Sequence, residues 1–431
     1  MKLFPHQING LKQTEGHPNC ALYWDMGLGK TFGGSEKMLL YRNGLNLVIC
    51  QKSKVDDWRN HFAKHYMYEV SAYDLTKKPQ WNDFWENPCG FRCRVGIINY
   101  ELAWRRKDLL ELQDFTLMLD ESSLIQNKTA KQTKFILSLK PRNVILLSGT
   151  PTSGKYENLW TQAQLLGWNI SEDLYNRQYV NWKSIETDGF FHKIVDADNP
   201  YKNVERLKQK FREHGAVFLK TEDVFDLPEQ TFTNIMVPTS KECRKFMKTG
   251  YVQMADGTEL IGDQVFTKRL YARQLCGIYS QAKLEAFREL IQSTNDRVIV
   301  FYNFTDEMHM MMDVICELGR PFSHINGVVK NLTAYERCED SVTLIQYQAG
   351  AMGLNLQKAN KIIYYSLPER SELFEQSKKR IHRIGQNRPC FYWIMMCKGS
   401  VEEEIYQTLL MRKDYTDELF IERGHGNGMD R

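Results

Sequence analysis

Short apolar runs alternate with longer amphipathic stretches along most of this 431-residue chain, and this alternation limits its possible folds more than any other feature. Examples of the apolar runs are Leu47–Cys50, Leu117–Leu119 and Val144–Leu147. Buried runs of about four to eight residues, separated by helices, are typical of parallel sheets with both faces covered. The sequence therefore predicts an α/β fold in which helices cover parallel strands.

The alternation occurs in two sets along the chain. The first set extends from Ala21 to about Leu166, and the second begins after about residue 280 with Arg297–Tyr302. The region between them is less regular and rich in aromatic and charged side chains, which favours a mostly helical insertion. We therefore predict a first lobe at 1–166, an insertion at 167–265, a second lobe at 266–411 and a C-terminal tail at 412–431.

Composition and charge exclude several classes of protein. Hydrophobic residues make up 42% and charged residues 26%, as in globular rather than disordered proteins. The 57 basic and 53 acidic residues leave a net charge of only +4, so any affinity for nucleic acid requires a local basic surface. No apolar run approaches the roughly 18 residues of a membrane span, and the ten scattered cysteines suggest no disulfide framework. We expect a cytoplasmic protein with reduced thiols and no membrane partner.

A glycine-rich turn, Asp25–Thr31, lies where the first predicted strand passes into a helix. Glycines let backbone N–H groups approach phosphates, and the helix N-terminus adds a positive dipole. Lys30 is suited to reach the β- and γ-phosphates of a nucleotide, and the Thr31 hydroxyl is suited to bind Mg²⁺. The strict phosphate-loop pattern is not met, because Trp24 occupies the position of its first glycine. The predicted phosphate-binding residues are Gly27, Gly29, Lys30 and Thr31.

Two acidic residues end an apolar run about 90 residues further along the chain. Asp120 at the carboxyl end of a strand can hold Mg²⁺, and Glu121 beside it can orient and deprotonate an attacking water. Such a pair alone is also compatible with a solvated loop. Together with the lysine-containing turn, the pair favours nucleotide hydrolysis, with Lys30, Asp120 and Glu121 as catalytic residues.

Basic residues are concentrated near the end of the second set of elements. The segment Gln376–Gln386 carries four Lys or Arg residues within six positions, and Gln376, Arg380 and Arg383 recur at helical spacing. Planar guanidinium groups stabilise the charge that develops during phosphoryl transfer. We therefore predict Arg380 and Arg383 as catalytic arginines and Gln376 as a nucleotide contact; the alternative is a solvated basic helix face.

In their order along the chain, these segments resemble the ATPase motor of the SWI/SNF-type, chromatin-remodelling-like family of superfamily-two helicases. The resemblance covers nearly the whole chain, and its most specific part is the run from Arg380 to Gln386. The compactness of the chain, with no separate nuclear-import basic cluster, suggests a prokaryotic or viral form of the motor. The segments that carry it are Leu3–Leu11, Asp25–Thr31, Val48–Ser53 with Trp58, Asp120–Asn127, Ser148–Pro151, Asn158–Trp160, Phe218–Pro228, Val300–Asp306, Ala349–Leu356 and Arg380–Gln386.

The resemblance implies a fold, ligands and a partner. The fold is two RecA-like lobes with helix-covered parallel sheets, the ligands are ATP and Mg²⁺, and the partner is double-stranded DNA contacted without regard to sequence. Gln7 is implied as the residue that reads adenine, and Gly353 as a further nucleotide contact. The implied DNA contacts are Lys52, Ser53, Thr150 and Gln348.

Two positions depart from the family pattern. Ser122-Ser123 replaces the alanine-histidine pair that follows the acidic residues, and that histidine usually couples the nucleotide to the Ser148–Pro151 strand end. Gln348 occupies a position where the family often has arginine. We expect hydrolysis to survive both changes.

The function that these features indicate is a DNA-dependent ATPase that moves along duplex DNA by opening and closing two lobes. One alternative is a strand-separating DNA or RNA helicase, and another is a nucleotide-gated DNA clamp that does not hydrolyse ATP. The chain ends about 45 residues beyond Gln386, with no histone-reading module, so histones are not expected as a substrate.

Overall fold

The computed structural model describes residues 3–86, 93–187, 190–350 and 354–420. The chain forms two compact units. The first unit comprises Met1–Val224 together with Asp414–Arg431, and the second comprises Phe225–Lys413.

The first unit contains nine strands and nine α-helices within the described residues. Its strands are β1 (Asn19–Trp24), β2 (Leu45–Cys50), β3 (Val70–Asp74), β4 (Cys93–Asn99), β5 (Phe115–Asp120), β6 (Asn143–Leu147), β7 (Trp182–Thr187), β8 (Phe190–Val195) and β9 (Ala216–Leu219). Its helices are α1 (Pro5–Gln13), α2 (Lys30–Leu40), α3 (Val55–His65), α4 (Lys78–Glu86), α5 (Tyr100–Ala103), α6 (Lys131–Ser138), α7 (Trp160–Leu165), α8 (Glu172–Tyr179) and α9 (Val204–Glu213).

The remaining elements follow Phe225. The strands are β10 (Gln230–Val237), β11 (Tyr251–Gln253), β12 (Glu259–Ile261), β13 (Val298–Tyr302), β14 (Phe322–Ile325), β15 (Lys330–Asn331), β16 (Val342–Gln346), β17 (Lys361–Tyr364) and β18 (Cys390–Cys397). The helices are α10 (Lys241–Thr249), α11 (Val265–Gly277), α12 (Gln281–Gln292), α13 (Thr305–Glu317), α14 (Thr333–Arg337), α15 (Tyr347–Gly350), α16 (Ser371–Lys378) and α17 (Val401–Phe420).

The first unit is built on a seven-stranded sheet in the order β3-β4-β2-β5-β6-β1-β9. All neighbouring strands in this sheet are parallel. The central strands β2, β5 and β6 are buried along nearly their whole length. Because successive side chains point to opposite faces of a sheet, this burial means that both faces are covered.

The second unit repeats this architecture with a sheet in the order β10-β18-β17-β13-β16-β14-β15. Its strands are parallel except for the last pair, β14 and β15. Met308 and Met311 of α13 are buried in the core beside β13, as expected of unbranched side chains that fill irregular gaps. The prediction of two α/β lobes with helix-covered parallel sheets is confirmed.

Residues 167–265 do not form the predicted mostly helical insertion, because strands as well as helices occur in this region. The chain at β9 pairs with β1 in the first sheet, and β10 pairs with β18 in the second. Two short antiparallel hairpins, β7–β8 and β11–β12, account for the other strands of this region. The edge strand β10 is mostly exposed, so it lacks the apolar run by which the central strands were predicted.

The predicted tail also differs from the structure, since α17 continues from Val401 to Phe420. Residues 412–420 therefore extend a helix, and residues 421–431 lie outside the described part of the chain. No helix in the described residues has the length and apolar character needed to cross a bilayer.

Candidate nucleotide-binding site

The predicted phosphate and magnesium residues of the first unit lie at one edge of its sheet. Strand β6 lies between β5 and β1, and the register places Asp120 opposite Leu147 and Leu147 opposite Leu22. The carboxyl ends of the three parallel strands are therefore level. Ligands of open α/β sheets bind at this edge, and the residues that follow the three strands are suited to form one site.

The glycine-rich turn between β1 and α2 depends on backbone conformations that favour glycine. Gly27 and Gly29 have φ values of +90° and +76°, and α2 begins at Lys30. A Cβ on Gly27 would meet nothing within 4 Å, so its conformation rather than a lack of space requires glycine. The turn thus presents a helix N-terminus on an open side, which suits a phosphate group.

Trp24, which replaces the usual first glycine of the motif, is fully buried. Its indole lies against two other glycines, Gly10 of α1 and Gly33 of α2. An added Cβ would approach the ring to 2.4 Å at Gly10 and 2.6 Å at Gly33. The departure from the strict phosphate-loop pattern is therefore accommodated by packing, and the turn that follows Trp24 is retained.

The Lys30 ammonium group lies within the turn. Its Nζ donates hydrogen bonds to the carbonyl oxygens of Trp24 at 2.8 Å and Asp25 at 3.1 Å. An added Cβ on Gly149, just after β6, would lie 3.4 Å from Nζ. The ammonium is thus held beside the ends of both β1 and β6, where a phosphate would reside.

Asp25 fixes the start of the turn. Its carboxylate accepts hydrogen bonds from the Met26 N–H at 2.8 Å and from the Thr221 hydroxyl at 3.0 Å. Thr221 follows β9, so the turn is tied to the chain just before the second unit begins.

Gln7 of α1 is buried, and both the N–H donors and the oxygen acceptor of its side-chain amide form hydrogen bonds with nearby backbone groups. Its Nε2 donates to the carbonyl oxygens of Leu28 at 3.2 Å and Gly29 at 3.4 Å. Its Oε1 accepts from the Phe4 N–H at 2.9 Å. Gln7 therefore supports the phosphate turn directly, and its implied contact with adenine stays a prediction.

The Asp120 carboxylate is held by the indole of Trp58, a residue to which the sequence assigns no role at the nucleotide site. The Trp58 Nε1–H of α3 donates to Asp120 Oδ2 at 2.8 Å. Burial raises the pKa of Asp120, the hydrogen bond from Trp58 opposes this, and the neighbouring Glu121 carboxylate adds to the increase. A cation beside Asp120 would favour the ionised carboxylate.

Glu121 adopts a left-handed backbone conformation with φ of +59°. Its Oε1 accepts hydrogen bonds from Ser148 at 2.8 Å and Ser123 at 3.0 Å. Such a conformation is costly for a residue with a side chain and is concentrated at functional sites. The two serines thus fix the direction of the predicted water-orienting carboxylate.

The donor set of this edge fits Mg²⁺. Thr31 lies in the first turn of α2, and Asp120 lies at the end of β5. Hydroxyl and carboxylate oxygens are the hard ligands that Mg²⁺ prefers, together with water and substrate phosphates.

A second group of metal-binding side chains lies in the core of the second unit but is already engaged. Cys276, Cys397 and Glu402 are close together and buried. The Glu402 carboxylate accepts from the buried Lys283 ammonium at 2.5 Å and from the Cys397 N–H at 2.9 Å. We interpret this group as a buried ion pair with core thiols.

The prediction that Gln376, Arg380 and Arg383 share one helical face is wrong, because α16 ends at Lys378. The Arg380 N–H donates to Ser377 at 3.2 Å, which closes the last turn. Gln376 lies on the helix, whereas the two arginines lie in the irregular segment that follows. Gly385, with φ of +94°, reverses the chain direction there.

A buried glutamine holds the arginine segment in place. Gln386 Nε2 donates to the carbonyl oxygens of Ala359 at 2.8 Å, Gln357 at 3.2 Å and Ile381 at 3.3 Å. Arg380 is buried, and Arg383 donates to Asn355 Oδ1. Burial lowers the pKa of Arg383 from its ordinary value, but an arginine remains protonated at neutral pH.

The predicted DNA contacts lie in different settings. Lys52 and Ser53 are exposed in the turn after β2, whereas Thr150 is buried after β6, and β5 separates these strands. Lys52 lines a cavity of about 640 Å³ together with Lys77 and Arg105. Gln348 is exposed on α15, and Gly353 lies outside the described residues.

The fold and the site define a class: a nucleotide-binding protein with two parallel-sheet lobes, a lysine-containing phosphate loop and a paired acidic motif. Within this class, the chain belongs to the SNF2-related domain family, whose model matches residues 6–283. A model described as the helicase conserved C-terminal domain matches residues 282–385. The SWI/SNF-type resemblance predicted from the sequence is confirmed.

Similar proteins come from bacteria and eukaryotes. The chain is 25% identical over 474 residues to YwqA of Bacillus subtilis, provisionally named an ATP-dependent helicase/translocase, covering 97% of this chain and 48% of that protein. It is 22% identical over 480 residues to human chromodomain-helicase-DNA-binding protein 1, covering 98% and 27% of the two chains. It therefore spans about a quarter to a half of the length of these relatives.

A similar solved structure is the Sulfolobus solfataricus SWI2/SNF2 ATPase core in complex with dsDNA. The two chains are 19% identical with a TM-score of 0.45, over 97% of this chain and 92% of that chain.

Proposed function

We propose that this protein is a DNA-dependent ATPase that translocates on double-stranded DNA. The observation that carries the proposal is the arrangement at the carboxyl edge of the first sheet. There the Lys30 ammonium lies within the turn after β1. Asp120 ends β5, the strand two places away, and Glu121 follows it. Membership of the SNF2-related family supports the same activity, since YwqA is named for both ATP-dependent helicase and translocase functions.

The proposed chemistry assigns a separate task to each residue. Backbone N–H groups at the start of α2 and the Lys30 ammonium bind the β- and γ-phosphates. Thr31 and Asp120 would hold Mg²⁺, which would neutralise part of the phosphate charge. Glu121, fixed by Ser123 and Ser148, orients the attacking water and accepts its proton.

We further propose that Arg380 and Arg383, with Gln376, complete the nucleotide contacts from the second unit. Guanidinium groups stabilise the charge that develops on the transferred phosphoryl group. If both units must contact the same nucleotide for hydrolysis, turnover is linked to their opening and closing. Alternating closure moves the protein along DNA if each unit grips the phosphate backbone.

The proposed DNA contacts are sequence-independent. Lys52 and Ser53 are exposed and available to phosphates, while Gln348 and Thr150 are predicted contacts with neutral side chains. Phosphate contacts carry no base information, and affinity for DNA should fall steeply as salt concentration rises. A prokaryotic or virus-encoded motor acting in the cytoplasm stays a prediction.

Phosphate release tests the proposal directly. The wild-type protein is assayed alone and with duplex DNA, single-stranded DNA or RNA, beside Lys30→Ala and the exposed control Lys64→Ala. We expect the strongest stimulation by duplex, loss of turnover in Lys30→Ala and retention of DNA binding. Substantial turnover in Lys30→Ala would contradict the site, and wild-type protein that binds ATP without hydrolysing it would indicate a clamp.

A strand-separating helicase is a second candidate, because the β7–β8 hairpin lies in the predicted insertion. Its strands pair over six positions, and Phe191 of β8 is 78% exposed. An exposed aromatic ring on a paired hairpin can stack on a nucleobase. Displacement of a strand from forked DNA, without displacement of a third strand from duplex DNA, would favour this function over translocation.

A further inference from the structure

A fully buried glutamine connects three parts of the first unit around the acidic residues. Gln162 of α7 has no solvent exposure. Its Oε1 accepts hydrogen bonds from Ser122 at 2.8 Å and from Tyr23 at 2.9 Å. Its Nε2 donates to the Pro151 carbonyl oxygen at 2.8 Å. One side chain therefore joins the turn after Glu121, strand β1 and the turn after β6.

Ser122 and Ser123 form different bonds, although they are adjacent in the chain. Ser123, which stands in the position of the family's histidine, donates to Glu121 itself at 3.0 Å. Ser122 is buried and reaches Gln162 instead. Within the described residues, the Ser122 side chain thus connects to Pro151 through the Gln162 amide.

We propose that Gln162 is a positioning residue that transmits the state of the bound nucleotide from the turn after Glu121 to the Ser148–Pro151 segment. This inference rests on the proposed function and deepens it. The physical argument is the cost of leaving a buried polar atom without a partner. Breaking one of these bonds inside the core costs more than moving both partners together. When the turn after Glu121 moves, Gln162 and the Pro151 carbonyl group should therefore move with it.

A second set of contacts converges on the same carbonyl from a less buried position. Gln126 Nε2 donates to Pro151 at 3.3 Å and to Ser153 at 2.9 Å. Thr161, next to Gln162 on α7, donates to the Ile125 carbonyl at 2.9 Å. The turn after Glu121, α7 and the turn after β6 therefore form one hydrogen-bonded group, and Gln162 is the fully buried side chain that bonds to both turns.

The test compares variants that remove different bonds of Gln162. Gln162→Met has nearly the same shape and loses all three bonds, and Ser122→Ala loses only the bond from the turn after Glu121. Tyr23→Phe loses one bond to the same oxygen but keeps the connection from Ser122 to Pro151. It is therefore the matched control for the structural cost of losing a buried hydrogen bond.

Amide hydrogen exchange of the 431-residue chain is followed with and without adenylyl imidodiphosphate and Mg²⁺. In wild type and Tyr23→Phe, we expect protection of both 25–31 and 148–156. In Gln162→Met and Ser122→Ala, we expect protection of 25–31 but at least about a fivefold smaller change in 148–156, the size of a typical coupling between sites. DNA stimulation of ATP turnover should fall by a similar factor, with basal turnover retained.

Each outcome separates the inference from the proposed function. Equal responses of 148–156 in Gln162→Met and Tyr23→Phe would overturn the role of Gln162 and leave the nucleotide site intact. Absence of protection at 25–31 in wild type would contradict both, since no nucleotide state would then exist to transmit. If Gln162→Met fails to fold, Ser122→Ala against Tyr23→Phe gives the same comparison.

Discussion

The predicted nucleotide-contacting residues of the two units are held in place in different ways. In the first unit, Lys30, Asp120 and Glu121 follow the ends of parallel strands, and buried partners such as Trp58 fix them. In the second unit, the arginines lie beyond the end of α16, in a segment that the Gln386 side chain connects to the carbonyl oxygens of Gln357 and Ala359. Strand ends thus fix the first group, whereas one side chain amide organises the second.

The largest expected effect comes from the second group. Arg380→Ala should lower the rate of ATP hydrolysis by about 10³-fold, because arginine contributions to phosphoryl transfer are typically of this size. ATP binding should be largely retained, as measured by nucleotide fluorescence titration. Arg388→Ala, an exposed arginine of the same segment, is the control and should have little effect. Similar losses in both variants would show that only the folding of the segment matters.

The same contrast explains what the sequence predicts well and what it predicts poorly. The acidic pair was predicted in its correct place because an apolar run ends at Asp120, and strand ends are visible in the sequence. The helical spacing of Arg380 and Arg383 was misleading, since local contacts at Ser377 end the helix early. Long-range partners such as Trp58 leave no local pattern, because 62 residues separate that indole from Asp120.

The second-largest expected effect concerns Glu121, the predicted base of the first unit. Glu121→Gln keeps the acceptor for Ser148 and Ser123 but removes the base, so ATP turnover should fall by about 10²-fold or more. Duplex binding at fixed salt should be unchanged. Glu101→Gln, which alters another acidic residue at the same edge of the sheet, should retain turnover. Near-normal hydrolysis by Glu121→Gln would assign the base role elsewhere.

A smaller effect should appear in the stability of the second unit. Gln386→Ala leaves the buried carbonyl oxygens of Ala359 and Ile381, and the partly buried one of Gln357, without this donor. Each unsatisfied buried group costs about 1–3 kcal/mol, and partial compensation by water should leave a loss of roughly 2 kcal/mol. Urea unfolding should show a lower midpoint, and Asn387→Ala, an exposed neighbour, should not. Unchanged stability in Gln386→Ala would show that the segment is held by other contacts.

The smallest expected effect is a gain rather than a loss of stability, and it concerns the charge at Asp120. Because burial raises the pKa of Asp120 above its ordinary value, the group stabilises the fold at pH below that ordinary value. This contribution is lost as pH rises through the folded-state pKa. Asp120→Asn keeps an oxygen for the Trp58 indole and removes the buried charge. We expect the nucleotide-free protein to gain about 2 °C in Tm at pH 7, with little gain at pH 3. A lower Tm at pH 7 would show that the ionised carboxylate stabilises the fold, and that the acidic site of the first unit is not built at the expense of stability.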